Sequence, residues 1–411
     1  MEELTDKPTE FDALRATARG LLPKESMLAV ETRKRRLFIG IPKELSLQEN
    51  RIGLTPEAVK QLTDNGHEIW IESGAGAPSK YSDHEFSEAG GVIVYSTKEV
   101  YEADILLKIA PPTYDEMEYL RPGQTLISAL QLGSLTAEYI AELCRKKINA
   151  ISFELLKDKS ETKPVVRAMS EIAGSTVMLI AAEYLSSSNE GKGVILGGIT
   201  GVPPSKVVII GAGTVAEYAT RAALGLGAEV KVFDNHLYKL RRLKQSIGAQ
   251  LFTSTMDYTV LHHEITEADV VIGAAIADEG QVPCMIPEEV VSRMAPGSVI
   301  IDVSIDEGGC FETSEITSHK RPVYRKYDVI HYCVPNIPSR VPRTATKALS
   351  NIFTPMFLEI SNYGGVNEAL FTHEHYRSGV YIYKGSLTNA GIAKKFNMRY
   401  KELSLMIAVR N

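Results

Sequence analysis

Residues 206–234 read KVVIIGAGTVAEYATRAALGLGAEVKVFD, and this stretch decides the fold. The order is strand, glycine turn, helix, strand, acid, which a dinucleotide-binding βαβ unit requires. Residues 207–210 form a continuous apolar run, as a parallel strand buried on both faces needs. Gly211 permits the tight turn, and Gly213 lets the backbone come close to a pyrophosphate. Thr214 opens the helix whose N-terminus would hold that anion. Ala216 takes the third small position, where helix and strand pack closely. Asp234 ends the second strand about 20 residues on, where a carboxylate accepts from the ribose hydroxyls of NAD. A 2′-phosphate would be repelled there, so NAD is expected rather than NADP. The bland alternative is a glycine turn in an α/β domain that binds nothing. The joint register of strands, helix and acid argues against it.

The same alternation extends in both directions. LFIGIP (37–42) predicts a strand and PEAVKQLTDNG (56–66) a helix closed by Gly66. EIWIES (68–73), VIVYS (92–96), ILLKIA (105–110), TLISALQL (125–132) and AISFEL (150–155) predict further strands. Helices such as TAEYIAELCRKK (136–147) separate the later ones. A mostly parallel, doubly wound sheet follows. From Ser170, SEIAGSTVMLIAAEYLSSS predicts a helix buried along most of its length that links two lobes. Beyond the glycine turn, AQLFT (249–253), VVIGAA (270–275), SVIIDVSI (298–305) and VIHYCV (329–334) predict strands. From about Pro342 the strand pattern stops and helices return, in a tail expected to fold back on the first lobe. The predicted class is α/β, with two doubly wound Rossmann-like lobes and a cleft between them. Residues 1–36 form an extension, 37–169 with 342–411 a substrate (catalytic) domain, and 170–341 an NAD-binding domain.

Composition narrows the partners. At 411 residues the chain is long for a single core. Its 44% apolar and 23% charged residues describe a globular protein, and a net charge of −6 gives no reason to expect nucleic acid or a membrane surface. The basic run Arg33-Lys34-Arg35-Arg36 reads as a solvated flank before the first strand. Cys144, Cys284, Cys310 and Cys333 are widely spaced, which argues against a zinc site or disulfide framework and suits a reducing cytoplasm. The apolar stretches are expected to fall short of a membrane span. His262-His263 reads as helix surface and residues 372–375, THEH, as a loop, so no metal site is expected.

In open α/β sheets ligands bind beyond the carboxyl ends of the strands. Polar residues expected there are Arg51, Lys108 and Gln131 on the first lobe, and Asp306 and Asn336 on the second. A guanidinium clamps a carboxylate with two parallel hydrogen bonds, which makes Arg51 the anchor for a small acid. Asp306 is suited to hold an amine or to orient the nicotinamide ribose, although it could instead cap the DEGG turn.

Nearly the whole chain after about Leu37 resembles the alanine dehydrogenase family, with its relative the nicotinamide nucleotide transhydrogenase domain. The resemblance rests on IGIPKE, ENRIGLTPEAV, ESGAGAPS, AMSEIAG, GVILGGITGV, VVIIGAGTVA, GSVIIDVSIDEGGCFE and YCVPNIPSRVPRTAT. It implies NAD-linked, reversible oxidative deamination of L-alanine to pyruvate and ammonia, in a cytoplasmic homo-oligomer that is often hexameric. It also implies that Arg51 binds the substrate carboxylate, that Asp306 is the active-site aspartate, and that Asp234 binds the ribose. Ser170 would lie near the cofactor, and Asn336 on the loop over the nicotinamide. Two positions depart from the family pattern. Ala110 stands where a substrate-binding lysine is implied, and Gln131 where a histidine acid/base is implied. Lys108, two residues earlier on the same strand face and displaced by roughly 6.5–7 Å, is expected to reach the vacated place. The expected catalytic pair is therefore Asp306 and Lys108, with Arg51 and Gln131 binding substrate. A family member that binds NAD without the chemistry, or a transhydrogenase-like domain, is the competing reading.

Overall fold

The computed structural model describes residues 34–46, 48–133, 135–275 and 286–408. The first lobe opens with six strands: β1 (Phe38–Ile41), β2 (Glu68–Glu72), β3 (Val92–Val94), β4 (Ile105–Leu107), β5 (Thr125–Ser128) and β6 (Asn149–Ser152). The second lobe supplies β7 (Lys206–Ile210), β8 (Glu229–Phe233), β9 (Phe252–Ser254), β10 (Val270–Gly273), β11 (Val299–Asp302), β12 (Val323–Lys326) and β13 (Val329–Tyr332). The chain then returns to the first lobe with β14 (Val380–Tyr383) and β15 (Ser386–Leu387). The two sheets run β3-β2-β1-β4-β5-β6-β14-β15 and β9-β8-β7-β10-β11-β13-β12. Each therefore has a parallel 3-2-1-4-5-6 core, with its topological switch point between the first and fourth strands. An antiparallel strand extends each sheet beyond the sixth parallel strand, β14 beside β6 and β12 beside β13.

Several expectations are corrected. The tail is not purely helical: VYIY at 380–383 is a fully buried strand, and β12 was also missed. Both are four residues long and pair antiparallel, outside the strand–helix rhythm that revealed the others. ILLKIA and TLISALQL are strands only to Leu107 and Ser128, because the chain turns outward there to build the cleft. Residues 366–377 are helical around His373 rather than an open loop.

Four helices position the site: α1 (Pro56–Asp64), α2 (Pro164–Leu185), α3 (Thr214–Gly225) and α4 (Pro342–Asn362). Thr55 caps α1 by accepting from the Ala58 N–H, and Pro56 fits the first turn, where its missing donor costs nothing. Helix α2 starts at Pro164, six residues before the expected start, so the boundary between the lobes falls inside a helix. Helix α4 leaves the second lobe and packs Leu349, Phe353 and Phe357 into the first lobe's core with Ile127 and Ile151. These two crossovers tie the lobes together.

Helix α2 also corrects an expectation about apolar stretches. It is long and apolar enough to cross a membrane by length and composition, where every stretch was expected to fall short. It packs Ala173, Val177 and Ala181 against Val207, Ala216 and Ala219 of the second lobe, as a core helix does. From Ser170 onward most of its side chains are buried or half-buried, and its outer face, with Leu179 61% exposed, is open. Gly174 is required by the crossing with α3, since a Cβ there would run into the Val215 carbonyl oxygen. Gly174→Ala is expected to cost about 1–3 kcal/mol through overpacking. The readout is a lower urea midpoint at unchanged m-value.

Candidate active site

At the first lobe's switch point the strand ends carry Glu44 after β1 and Lys108 after β4. The Glu44 carboxylate reaches across the gap and accepts from the N–H groups of Ile109 (2.6 Å) and Ala110 (3.3 Å). Lys108 is 1% exposed. Its Nζ lies 2.8 Å from Glu116 Oε1 and 3.4 Å from Glu44 Oε2. Glu116 also closes a capping box with Thr113. Burial opposes the ammonium's charge, but Glu44 and then Glu116 outweigh it and hold the Lys108 pKa above its ordinary value. The structure thus places the expected catalytic lysine inside a carboxylate cage, where it stitches two loops together instead of facing the cleft.

Arg51 stands 9% exposed in the loop after β1. Its Nε and Nη2 grip Glu49 Oε1 and Oε2 at 2.7 Å each, and its Nη1 lies 3.2 Å from Met169 Sδ on α2. Desolvation works against this cation, yet the Glu49 charge and hydrogen bonds, with Glu44 and Glu154 farther off, raise its pKa. Burial alone would likewise raise the Glu49 carboxyl; Arg51, and then Asn336, hold it below the ordinary 4.5. A guanidinium has five N–H donors; two are spent on Glu49 and one points at Met169 Sδ, which leaves one on each of Nη1 and Nη2. Its Nη1–Nη2 end keeps donors for a second carboxylate.

Asn336 comes from the second lobe, in left-handed conformation at φ 58° after β13. Its Nδ2 donates to Glu49 Oε2 at 2.8 Å across the lobe boundary. Its backbone N–H lies near enough to the Asp306 carboxylate to draw that group's pKa down against the effect of burial. The Gln48 side chain accepts from the His319 N–H at 2.8 Å, and Ser339 Oγ donates to the Gln48 carbonyl at 2.6 Å. Arg51, Glu49 and Asn336 therefore form one hydrogen-bonded chain between the lobes, with Asp306 beside the Asn336 backbone.

Asp306 does not cap the DEGG turn. The fully buried Asp302, at the end of β11, does so by accepting from Ser304 N–H, Cys310 N–H and Ser314 Oγ. Asp306 reaches solvent at the cleft with protein crowding it. That partial desolvation, opposed by the Asn336 N–H and joined by Glu307 and Glu154, raises its carboxyl pKa. Gln131 is exposed and at φ 46° in the loop that follows β5. Glu154 Oε2 shapes that turn by accepting from Leu130 N–H (2.7 Å) and Gln131 N–H (3.1 Å). Gly133 in the same loop backs onto the Asp306 carbonyl, where a Cβ would stand 3.3 Å away.

On the second lobe Gly211 adopts φ 104° and presses against Ala274, whose carbonyl oxygen would lie 2.5 Å from any Cβ. Gly213 faces open space, and no side chain caps the helix that begins at Thr214. Unspent N–H groups at a helix start with room in front of them suit a pyrophosphate. Asp234 is buried at the end of β8; it accepts from Ala212 N–H and His236 N–H at 2.7 Å each. The His236 ring Nδ1 also lies 3.0 Å from Asp234 Oδ1, and of a carboxylate's roughly four acceptor sites about one, on Oδ2, remains for a ribose hydroxyl. The residues present fit NAD. Ser170 lies half-buried on α2, next to the Met169 that touches Arg51.

This geometry agrees with the comparisons to known proteins. Residues 40–173 match the family description "Alanine dehydrogenase/PNT, N-terminal domain", and residues 177–390 match "Alanine dehydrogenase/PNT, C-terminal domain". The chain belongs to the alanine dehydrogenase/PNT family. "Alanine dehydrogenase 2" of Staphylococcus aureus is 37% identical over 366 residues, 89% of this chain and 98% of that protein. A solved L-alanine dehydrogenase superposes with TM-score 0.82 at 35% identity, covering 87% of this chain and 99% of its own. A transhydrogenase from Sinorhizobium meliloti shares the fold, with TM-score 0.73 at 22% identity over 86% of this chain and 99% of its own.

Within this family site, sequence reasoning missed Glu49, Glu154 and His319. Glu154 falls two residues past β6, where the strand-end rule would have found it. Glu49 carried a signal in its spacing to Arg51, and His319 carried none. Lys108→Met leaves Glu44 and Glu116 buried without their cation and is expected to destabilise by about 3–5 kcal/mol, measured by urea unfolding. The Glu49 pKa is lower folded than unfolded, so its stabilisation is present above the ordinary 4.5 and is lost as pH falls through the lower folded value. Melting temperatures from pH 6 to 3 should fall more steeply for wild type than for Glu49→Gln.

Proposed function

We propose that this chain is an NAD-dependent oxidoreductase that interconverts a small 2-amino acid with its 2-oxo acid and ammonia, with L-alanine and pyruvate as the pair. The observation that carries this is the Arg51–Glu49–Asn336 chain with Asp306 beside it, which sets a carboxylate anchor and an acid of raised pKa on the two sides of one gap. The substrate carboxylate takes the free end of the Arg51 guanidinium. Asp306, its pKa raised, holds the amine or carries the proton that amine and water exchange. Gln131 donates or accepts hydrogen bonds without titrating. Lys108 keeps the β4 loop in shape. Gly211, Gly213, Thr214 and Asp234 would hold NAD with Ser170 and Asn336 beside it, and bound NAD would supply hydride acceptance. Purified protein given NADH, pyruvate and ammonium should lose absorbance at 340 nm, and Arg51→Met should raise KM for pyruvate about tenfold or more. Ala110 and Gln131 favour one second reading, NAD binding without turnover. NADH binding with no absorbance loss at high protein concentration would select it.

We also propose a homo-oligomer, in keeping with the hexamers of the family, and a cytoplasmic setting with no membrane or nucleic-acid partner. A reducing compartment suits the free Cys144, Cys310 and Cys333. Leu179 on α2, Ile195, Ile199, Val202 and Leu226 are exposed apolar residues on or beside the groove between α2 and residues 193–197. Such a surface fits a second copy of this chain. Light scattering should give a multiple of the 45.1 kDa chain, and the pair Leu179→Glu with Ile199→Glu should lower it.

A further inference from the structure

We infer that Glu49 is a positioning residue that couples substrate and nucleotide binding, so that a carboxylate on the first lobe and NADH on the second each tighten the other. The inference rests on the reading above.

Glu49 is closed to ligands. Its side chain is 1% exposed. Oε1 takes the Arg51 N–H at 3.0 Å and Nε at 2.7 Å, while Oε2 takes Arg51 Nη2 at 2.7 Å and Asn336 Nδ2 at 2.8 Å. One carboxylate thus grips the substrate anchor of the first lobe and a cofactor-loop residue of the second. The sign of the coupling follows from charge. A carboxylate arriving at the free end of Arg51 draws on the same guanidinium charge that neutralises Glu49. Glu49 is then less compensated, and the hydrogen bond from Asn336 is worth more. In the other direction, a nucleotide docked against the Asn336 loop fixes that residue with Nδ2 toward Glu49, and so fixes Arg51. By linkage the two factors are equal.

Apart from a long contact of Ser339 Oγ to Glu49 Oε1 at 3.5 Å, the rest of the seam is made by other groups. Asn50 N–H donates to Ser339 Oγ at 2.8 Å, and the Ile52 and Thr55 N–H groups donate to Thr346 and Ser350 on α4 at 3.1 and 2.8 Å. Glu49→Gln therefore leaves the lobes joined.

The test uses oxamate, an unreactive carboxylate analogue of pyruvate. Its Kd is measured by calorimetry with and without saturating NADH, and the NADH Kd by fluorescence with and without saturating oxamate. Wild type should show the same factor in both directions, about fivefold or more. Glu49→Gln should reduce it below twofold while NADH alone still binds within about twofold of wild type. Asn336→Ala should reduce the factor likewise, which keeps the test usable if Glu49→Gln does not fold. A wild-type factor near one, or a full factor retained in both variants, overturns the coupling and leaves the proposed function standing. Failure of wild type to bind NADH or oxamate at all overturns both.

Discussion

The structure turns on a buried ion pair whose acid is shared across the lobe boundary. Taking a guanidinium and a carboxylate out of water costs several kcal/mol per ion, and the cost is offset only where hydrogen bonds fill the remaining positions. Arg51 and Glu49 meet that condition only when Asn336 arrives from the other lobe. The relative placement of the two sheets is thus a condition for a stable site. The site in turn fixes where the strand ends face each other. The crossovers α2 and α4 supply the apolar part of the same restraint, and α4 contributes Thr346 and Ser350 to the loop that bears the pair.

Charge inventory separates two kinds of cation at the first lobe's strand ends. Lys108 and Arg51 both follow first-lobe strands, and both are paired with acids. Lys108 has two carboxylates around an ammonium at full burial. Arg51 has one carboxylate on one edge of a planar fork, which leaves the opposite end usable. Guanidinium geometry makes the difference: a point charge enclosed by two acids has no second face, whereas a fork does.

The glycine turn, the parallel strands and the acid that follows β8 were legible in sequence because each depends on neighbours within about 30 residues. The family followed from motifs of the same local kind. The antiparallel strands β12 and β14 were not legible, since four-residue strands gain their identity from partners elsewhere in the chain. Lys108 was placed on the correct strand end, and its direction was still misjudged, because Glu44 lies 64 residues and Glu116 eight residues away in sequence. Glu49 escaped for a related reason: an acid two residues from an arginine is ordinary on a surface and decisive only once buried.

The corner that carries Asp306 divides its labour between two acids. Asp302, sealed beneath the loop, dictates the backbone path through Ser304, Cys310 and Ser314. Asp306, at the lip, contributes little to that path. Backbone path and cleft chemistry are thereby uncoupled at this corner: the side chain at the lip could be exchanged over evolutionary time without remaking the turn that presents it.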